Sequence, residues 1–283
     1  MTDPPVFVSA VEMTAQSRSW AAGGQTVAVV PTMGALHEGH RALMREARRR
    51  ADRVVVTVFV NPTQFDRSSD LDSYPRDLEA DLACCSSEEV DAVFAPTIAE
   101  VYPAGTTATV SPGPIAERLE GEHRPGHFTG VATVVLRLFE IVLPGVAVFG
   151  EKDAQQLAVI RSVCAEHEVD TDIVGVPTVR EADGLALSSR NVRLSRDARE
   201  AAVALPGALR SINEAWRSGE RSPSALRALG HQIIEQGGGE CDYVDLVDPR
   251  SFITADPPGA GDLIVAAAWF GGIRLIDNLE LSL

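Results

Sequence analysis

His37 and His40 stand three residues apart in Pro31-Thr32-Met33-Gly34-Ala35-Leu36-His37-Glu38-Gly39-His40, where an apolar strand-like run gives way to a helical pattern. At such a junction the exposed backbone N–H groups and the helix dipole attract anions. Helical spacing puts both imidazoles on one face. Gly39, lacking a side chain, lets a flat base or a phosphate approach the backbone. Either ring, when protonated, would neutralise charge that develops on a phosphate during transfer. Read as a metal site the pair is incomplete, because no third ligand adjoins it in the sequence.

A second segment is marked by composition. Of 25 basic residues 24 are arginine, and the exception is Lys152, in Phe149-Gly150-Glu151-Lys152-Asp153-Ala154-Gln155-Gln156. Arginine does not replace a compact ammonium that must reach a phosphate in tight quarters. This segment also ends a strand and opens a helix, so Lys152 suits the β- or γ-phosphates and Asp153 suits holding it or meeting a second substrate. A third segment, Val179-Arg180-Glu181-Ala182-Asp183-Gly184-Leu185-Ala186-Leu187-Ser188-Ser189-Arg190-Asn191, follows a further strand. It reads as a mobile loop whose two hydroxyls and guanidinium suit closing over a triphosphate.

The elements that must position these groups are legible as alternating apolar runs and helical patterns. Strands are expected at Thr26–Val30, Val54–Val60, Ala92–Ala95, Val146–Phe149 and Ile173–Val179. Helices are expected from about Gly39 to Ala51, and at Leu78–Ser87, Phe128–Val142 and Asp153–Glu166. Continuous β-branched strands alternating with helices predict an α/β fold with a parallel sheet covered on both faces. In such sheets ligands bind beyond the carboxyl ends of the strands. After Arg190 the pattern changes to helical stretches at about Ser195–Arg217 and Pro223–Gln236, followed by strand-like runs at Tyr243–Val247, Leu263–Phe270 and Ile273–Ile276. The expected division is therefore a Rossmann-like domain over residues 1–185 and a smaller C-terminal α+β domain over 186–283 that closes over the active site.

Composition excludes several classes. The 283 residues carry a net charge of −15, which disfavours a nucleic-acid partner. The densest basic cluster, Arg45, Arg48, Arg49, Arg50 and Arg53, reads as the cationic tail of an exposed helix. Asp66, Asp70, Asp72 and Asp81 read as a solvated acidic stretch in which one carboxylate is a candidate for the magnesium of Mg-ATP. No apolar run approaches the roughly 20 residues needed to span a bilayer, and Met1-Thr2-Asp3-Pro4-Pro5 does not read as a secretory signal. Four cysteines, Cys84, Cys85, Cys164 and Cys241, form neither a disulfide framework nor a CxxC site, consistent with a reducing cytoplasmic setting.

PTMGALHEGH, FVNPTQF, RPGHFTGVATVV, FGEKDAQQL and VPTVREADGLALSSRN, in this order from Pro31 to Asn191, closely resemble the motifs of the pantothenate synthetases. That family belongs to the HIGH-type nucleotidyltransferase superfamily, and LSSR resembles the counterpart of its KMSKS loop. The resemblance implies a two-step ligation in which pantoate and ATP give pantoyl adenylate, and β-alanine then gives pantothenate and AMP. It implies a catalytic set of His37, His40, Lys152, Ser188, Ser189 and Arg190. The implied ATP-binding set is Met33, Gly34, Ala35, Leu36, His37, Glu38, Gly39, His40, Gly150, Glu151, Lys152, Asp153, Val179, Leu187, Ser188, Ser189 and Arg190. The implied pantoate site has Asn61, Gln64 and Gln156 as polar members and Pro31, Met33, Val131, Val134, Val135 and Phe149 as an apolar wall. Tyr74, Arg124, His127 and Arg190 are expected near the amine.

The resemblance further implies ATP used as its magnesium complex, no tightly bound cofactor, a homodimer, and metal ligands left unassigned. Two positions depart from the family pattern. Ala154 replaces an aromatic residue and Leu187 a methionine; the second swap conserves volume. The first leaves open an acyl-adenylate-forming ligase with another hydroxy acid or amine; a nucleotidyltransferase that stops short of ligation is a separate alternative.

Overall fold

The computed structural model describes residues 3–65, 71–104 and 109–283. The chain folds into two compact units, Met1–Glu151 with Val159–Pro177, and Lys152–Ala158 with Thr178–Leu283.

The first unit is built on six parallel strands: β1 (Val6–Phe7), β2 (Val27–Thr32), β3 (Arg53–Val58), β4 (Ala92–Phe94), β5 (Val146–Gly150) and β6 (Asp172–Val176). Their order across the sheet is β1-β4-β3-β2-β5-β6. Valine-rich runs in β2 and β3 are buried along almost their whole length, as strands covered on both faces require. β2 runs between β3 and β5, in register Ala28↔Val54 and Ala28↔Val146. Strand order reverses between β2 and β5, so the carboxyl ends of these two neighbours form the switch point at which α/β sheets leave a crevice.

Helices α1 (Ala10–Ala22), α2 (Glu38–Arg50), α3 (Leu78–Ser87), α4 (His127–Val142) and α5 (Ala154–Glu166) complete the α/β alternation. Leu43, Met44 and Ala47 of α2 pack with Ala28, Val30, Val54, Val56 and Val148 of the strands in one buried cluster. Glu38 in the first turn of α2 and Arg48, Arg49 and Arg50 in its last complement the helix dipole. The arginines of this tail are paired: Arg45 with Glu38 and Glu88, Arg48 and Arg53 with Asp91, and Arg49 and Arg50 with Glu46.

The second unit lays helices α6 (Arg196–Ala201), α7 (Ala204–Arg217) and α8 (Pro223–Gln236) against an antiparallel sheet of β7 (Glu240–Val247), β8 (Leu263–Phe270) and β9 (Ile273–Glu280). Its core joins Leu205, Leu209, Ile212, Leu226 and Ile234 to Leu246, Ile264 and Phe270. A parallel-sheet α/β unit and a smaller α+β unit are thus the observed architecture.

Several features differ from the sequence reading, among them strand ends: β3 stops at Val58 and β6 at Val176, and β7 begins at Glu240. α1 and β1 were not expected, because neither has a strong periodic apolar signature. The stretch Ser195–Arg217 is two helices, broken at Ala202 and Val203. β9 extends four residues beyond Ile276 through the mixed run Asp277–Glu280, which is buried at Asp277 and exposed by Glu280.

Candidate active site

Within the first unit the histidine segment is a tight turn followed by a capped helix. Thr32, at the end of β2, donates its hydroxyl to the Thr57 carbonyl at 2.6 Å and accepts the Gly34 N–H at 3.1 Å. Gly34 and Ala35 then take positive φ, 81° and 52°. For Ala35 that backbone region is unfavourable. The compensation comes from Asp81 of α3, whose carboxylate accepts Ala35 N–H at 3.2 Å and Leu36 N–H at 2.8 Å. A Cβ at position 34 would lie 2.6 Å from Asp81 Oδ2, so glycine is required there twice over.

Asp81 corrects the sequence reading. It is 3% exposed and organises the turn instead of lying in a solvated stretch. Burial pushes its carboxyl above the usual range, and the two backbone donors work against that shift. Of its expected companions, Asp72 is exposed, while Asp66 and Asp70 lie outside the described residues. Among the described residues no group of three or more His, Cys, Asp or Glu side chains is arranged to hold a metal ion.

His37 is the N-cap of α2. Its Nδ1 accepts the Gly39 N–H at 3.1 Å, and His40 Nδ1 accepts the His37 N–H at 3.2 Å. This is a capping-box exchange made with imidazoles. The two rings lie 4.2 Å apart between centroids. A nitrogen that accepts an N–H carries no proton, so the partners assign both neutral rings as Nε2–H tautomers. Gly39 also makes room within the turn itself. The space a side chain would fill is occupied by the His37 ring, 2.9 Å from an added Cβ.

Beside this turn, a short 3-10 helix (Pro62–Gln64) collects the polar members of the expected pantoate site. Asn61 is 1% exposed. Its Oδ1 accepts from the Thr63 hydroxyl and from the Tyr102 hydroxyl, both at 2.9 Å. Its Nδ2 donates to Gln64 Oε1 at 3.1 Å and to the Gly130 carbonyl at 3.2 Å. Gln64 Nε2 in turn reaches Met33 Sδ at 3.1 Å. Met33, Asn61 and Gln64 therefore form one connected group.

Gly130 lets α4 press on this turn, since an added Cβ would meet the Thr63 carbonyl oxygen at 2.4 Å. Val131, Val134 and Val135 on α4 are 2%, 6% and 5% exposed, and Phe149 is 5% exposed, so all four are packed. Pro31 is half-buried. Arg124 and His127 grip the Gln64 carbonyl at 3.3 and 2.7 Å, and Tyr74 is buried edge-on against Phe65.

In the second unit Lys152 is largely buried and its ammonium lies 3.9 Å from Asp153. Gln156 is half-buried on the first turn of α5. Val179 and Leu187 are joined by a backbone hydrogen bond of 2.9 Å, which closes a hairpin at the root of the Ser188–Arg190 loop. The far end of that loop is fixed too. Asn191 donates to Glu181 at 2.9 Å and to the Ala186 carbonyl at 3.1 Å, and Arg199 binds Glu181 and Asp183. Three residues, Ser188, Ser189 and Arg190, span the interval between pinned ends.

The sequence reading missed Asp81, Tyr102, Asn191, Arg199, Asp277 and Asn278 as supporting groups. Asn191 lay inside the VPTVREADGLALSSRN motif, but the others carry no local signal, because each acts on a segment elsewhere in the chain.

The whole chain has close relatives. The family described as Pantoate-beta-alanine ligase matches residues 6–280. A pantothenate synthetase of Cereibacter sphaeroides is 48% identical over 278 residues, covering 98% of this chain and 100% of the relative. One from Thioalkalivibrio sulfidiphilus is 51% identical and covers 93% of each. Among solved structures, pantothenate synthetase from Thermus thermophilus superposes with a TM-score of 0.92 at 42% identity, covering 99% of this chain and 100% of that one. Pantoate-beta-alanine ligase from Francisella tularensis, solved with β-γ ATP and β-alanine, gives a TM-score of 0.84 at 33% identity over 98% of both chains. Matched end to end in sequence and in fold, this chain belongs to the pantoate-beta-alanine ligase family.

Proposed function

We propose that the protein joins (R)-pantoate to β-alanine at the expense of ATP, through pantoyl adenylate. In the first step a pantoate carboxylate oxygen attacks the α-phosphorus and pyrophosphate leaves. In the second the β-alanine amine, in its uncharged form, attacks the acyl carbon, AMP leaves with the bonding pair, and the nitrogen sheds a proton. The observation that carries this reading is the reciprocal capping of His37 and His40 at the N-terminus of α2. It commits both Nδ1 atoms to the backbone, so the proton of a neutral ring sits on Nε2, the atom assigned in this reading to meet phosphate oxygens as charge builds on them. The protonated role expected from sequence would require an Nδ1 to give up the backbone N–H that it accepts here.

Lys152 takes the β- or γ-phosphates as a point charge, Gly150, Glu151 and Asp153 flank the nucleotide, and Val179 lies along the adenine. Ser188, Ser189 and Arg190 close on the triphosphate. Gln64 and Gln156 bind the pantoate hydroxyls and carboxylate; neutral amides do so without quenching the nucleophile. Met33 and the valines of α4 meet its gem-dimethyl group. These roles are supported by the resemblance of the five motifs to the family and by the connected Met33–Asn61–Gln64 group. ATP as its magnesium complex, a homodimer and a cytoplasmic setting are carried by the same resemblance. Among the described residues no helix is long and apolar enough to cross a membrane.

The test is ATP–pyrophosphate exchange with pantoate present and β-alanine absent, then product analysis on adding β-alanine. Pantoate-dependent exchange followed by pantothenate and AMP is the expected outcome. Exchange without pantothenate would keep the adenylate and replace the amine. Folded, ATP-binding protein with no exchange would reject pantoate, with the small Ala154 side chain beside Lys152 as the first place to look.

A further inference from the structure

β9 contributes a dipeptide, Asp277-Asn278, that touches two of the segments expected to handle phosphate. Asp277 is 3% exposed and receives the Arg180 guanidinium on both oxygens, at 2.6 and 2.9 Å. The same guanidinium donates to the Gly184 carbonyl and to the Asn278 carbonyl, each at 3.1 Å. Arg180 pairs with Ala186 in an isolated antiparallel bridge. One planar fork thus closes the turn before the Ser188–Arg190 loop and ties it to β9. Asn278 reaches elsewhere: its side-chain Nδ2 donates to the Lys152 carbonyl at 2.9 Å. β9 is an edge strand, so one side of its backbone is left unpaired by the sheet and is available for such contacts.

We propose that Asp277 and Asn278 are positioning residues for adenylation. Asn278 fixes the main chain from which the Lys152 stem projects, and Asp277 acts through Arg180 to fix the root of the Ser188–Arg190 loop. A single strand then determines how the ammonium and the two hydroxyls are presented. The magnitude at stake is large for one hydrogen bond, because a misplacement of about 1 Å in a group that meets the transition state costs on the order of 10²-fold in rate. The inference rests on the reading that this chain adenylates pantoate.

The two half-reactions separate positioning from plain structural support. Lys152 is assigned to the phosphates that leave as pyrophosphate, so its placement matters before that departure and not after it. Asn278→Ala should lower kcat for pantoate-dependent ATP–pyrophosphate exchange about tenfold. The KM for pantoate and the single-turnover conversion of preformed pantoyl adenylate by β-alanine should stay at wild-type values. In a Lys152→Ala background, Asn278→Ala should change ATP affinity, read by calorimetry, no further.

Asn278→Asp, which keeps the size but cannot donate, should show the same split if the alanine variant folds poorly. Unchanged exchange in both variants would overturn the proposal. So would equal loss in both half-reactions, or additive effects in the double variant. Wild-type protein without pantoate-dependent exchange would instead remove the enzymatic reading, and the proposal with it. Active wild type with indifferent Asn278 variants would remove the proposal alone.

Discussion

In the first unit the histidine turn is held by bonds that span two and three residues, Gly39 N–H to His37 and His37 N–H to His40. In the second, Lys152 is held at its carbonyl by a side chain 126 positions away, and the loop root by one 97 away. The histidine pair needs little more than a helix N-terminus and one carboxylate, Asp81, to take its shape. The lysine and the serine loop need a finished antiparallel sheet. The difference teaches that groups proposed for similar tasks, offering donors to phosphate, can rest on local backbone geometry or on long-range tertiary contacts, and that damage should propagate differently in the two cases.

The largest expected effect is at the residue with no local substitute. Lys152→Ala should reduce adenylation by about 10²–10³-fold while far-UV circular dichroism stays native. Lys152→Arg should also be poor, because a planar fork does not replace an ammonium. Single-turnover adenylate formation near the wild-type rate in Lys152→Ala would break this side of the comparison.

A histidine pair built as a cap allows its structural and chemical roles to be separated. Asn is a favoured N-cap and Gln a favoured partner three residues on. The double variant His37→Asn, His40→Gln should therefore melt close to the wild-type temperature, yet lose about 10²-fold in exchange activity. A large drop in melting temperature would show that the imidazoles do more than cap.

Asp81 tests how much support the local site draws from outside itself. Asp81→Ala strands two backbone N–H groups and should cost about 2 kcal/mol. That corresponds to a fall of roughly 4–8 °C in melting temperature for a chain of this size, with a smaller loss of exchange than either change above. The carboxyl's position above the usual range has a sign of its own. A carboxyl raised on folding binds its proton more tightly in the native state, so its contribution to stability is present at acid pH. That contribution falls as pH climbs from the ordinary aspartate value through the raised one. Asp81→Asn should flatten this component of the pH dependence in urea titrations; a curve parallel to wild type would contradict the assignment.

The smallest effect is expected at the pinned end of the serine loop. Asn191→Ala removes the bonds to Glu181 and Ala186 but leaves Arg199 on Glu181. Exchange should fall severalfold, about what one or two neutral hydrogen bonds are worth, and limited proteolysis should cut faster near Ser188–Arg190. Equal cleavage rates would place the restraint elsewhere.

Much of the fold was legible because its signals are short-range. Valine runs such as those of β2 and β3 can be satisfied only in a strand covered on both faces, and the glycine and proline punctuation around them places the turns. The histidine pair was legible for the same reason: its spacing alone puts both rings on one turn. α1 escaped because its Ala-, Ser- and Thr-rich sequence lacks a clear apolar stripe. Asp81 escaped because a carboxylate in an acidic stretch looks solvated until α3 is folded against a turn 45 residues earlier in the chain.

What the sequence by itself determined is the alternation of strands and helices from β2 to β6, the donors placed at strand ends and the lone lysine. Local propensity and spacing are properties of neighbouring residues. What only the tertiary structure decided is which distant groups bear on those donors: Asp81 on the strained turn, Asn278 on the Lys152 carbonyl, Asp277 on Arg180. A hydrogen bond is satisfied by any correctly placed partner whatever its separation in sequence. Its identity is therefore written in the packing of the folded chain and not in a spacing.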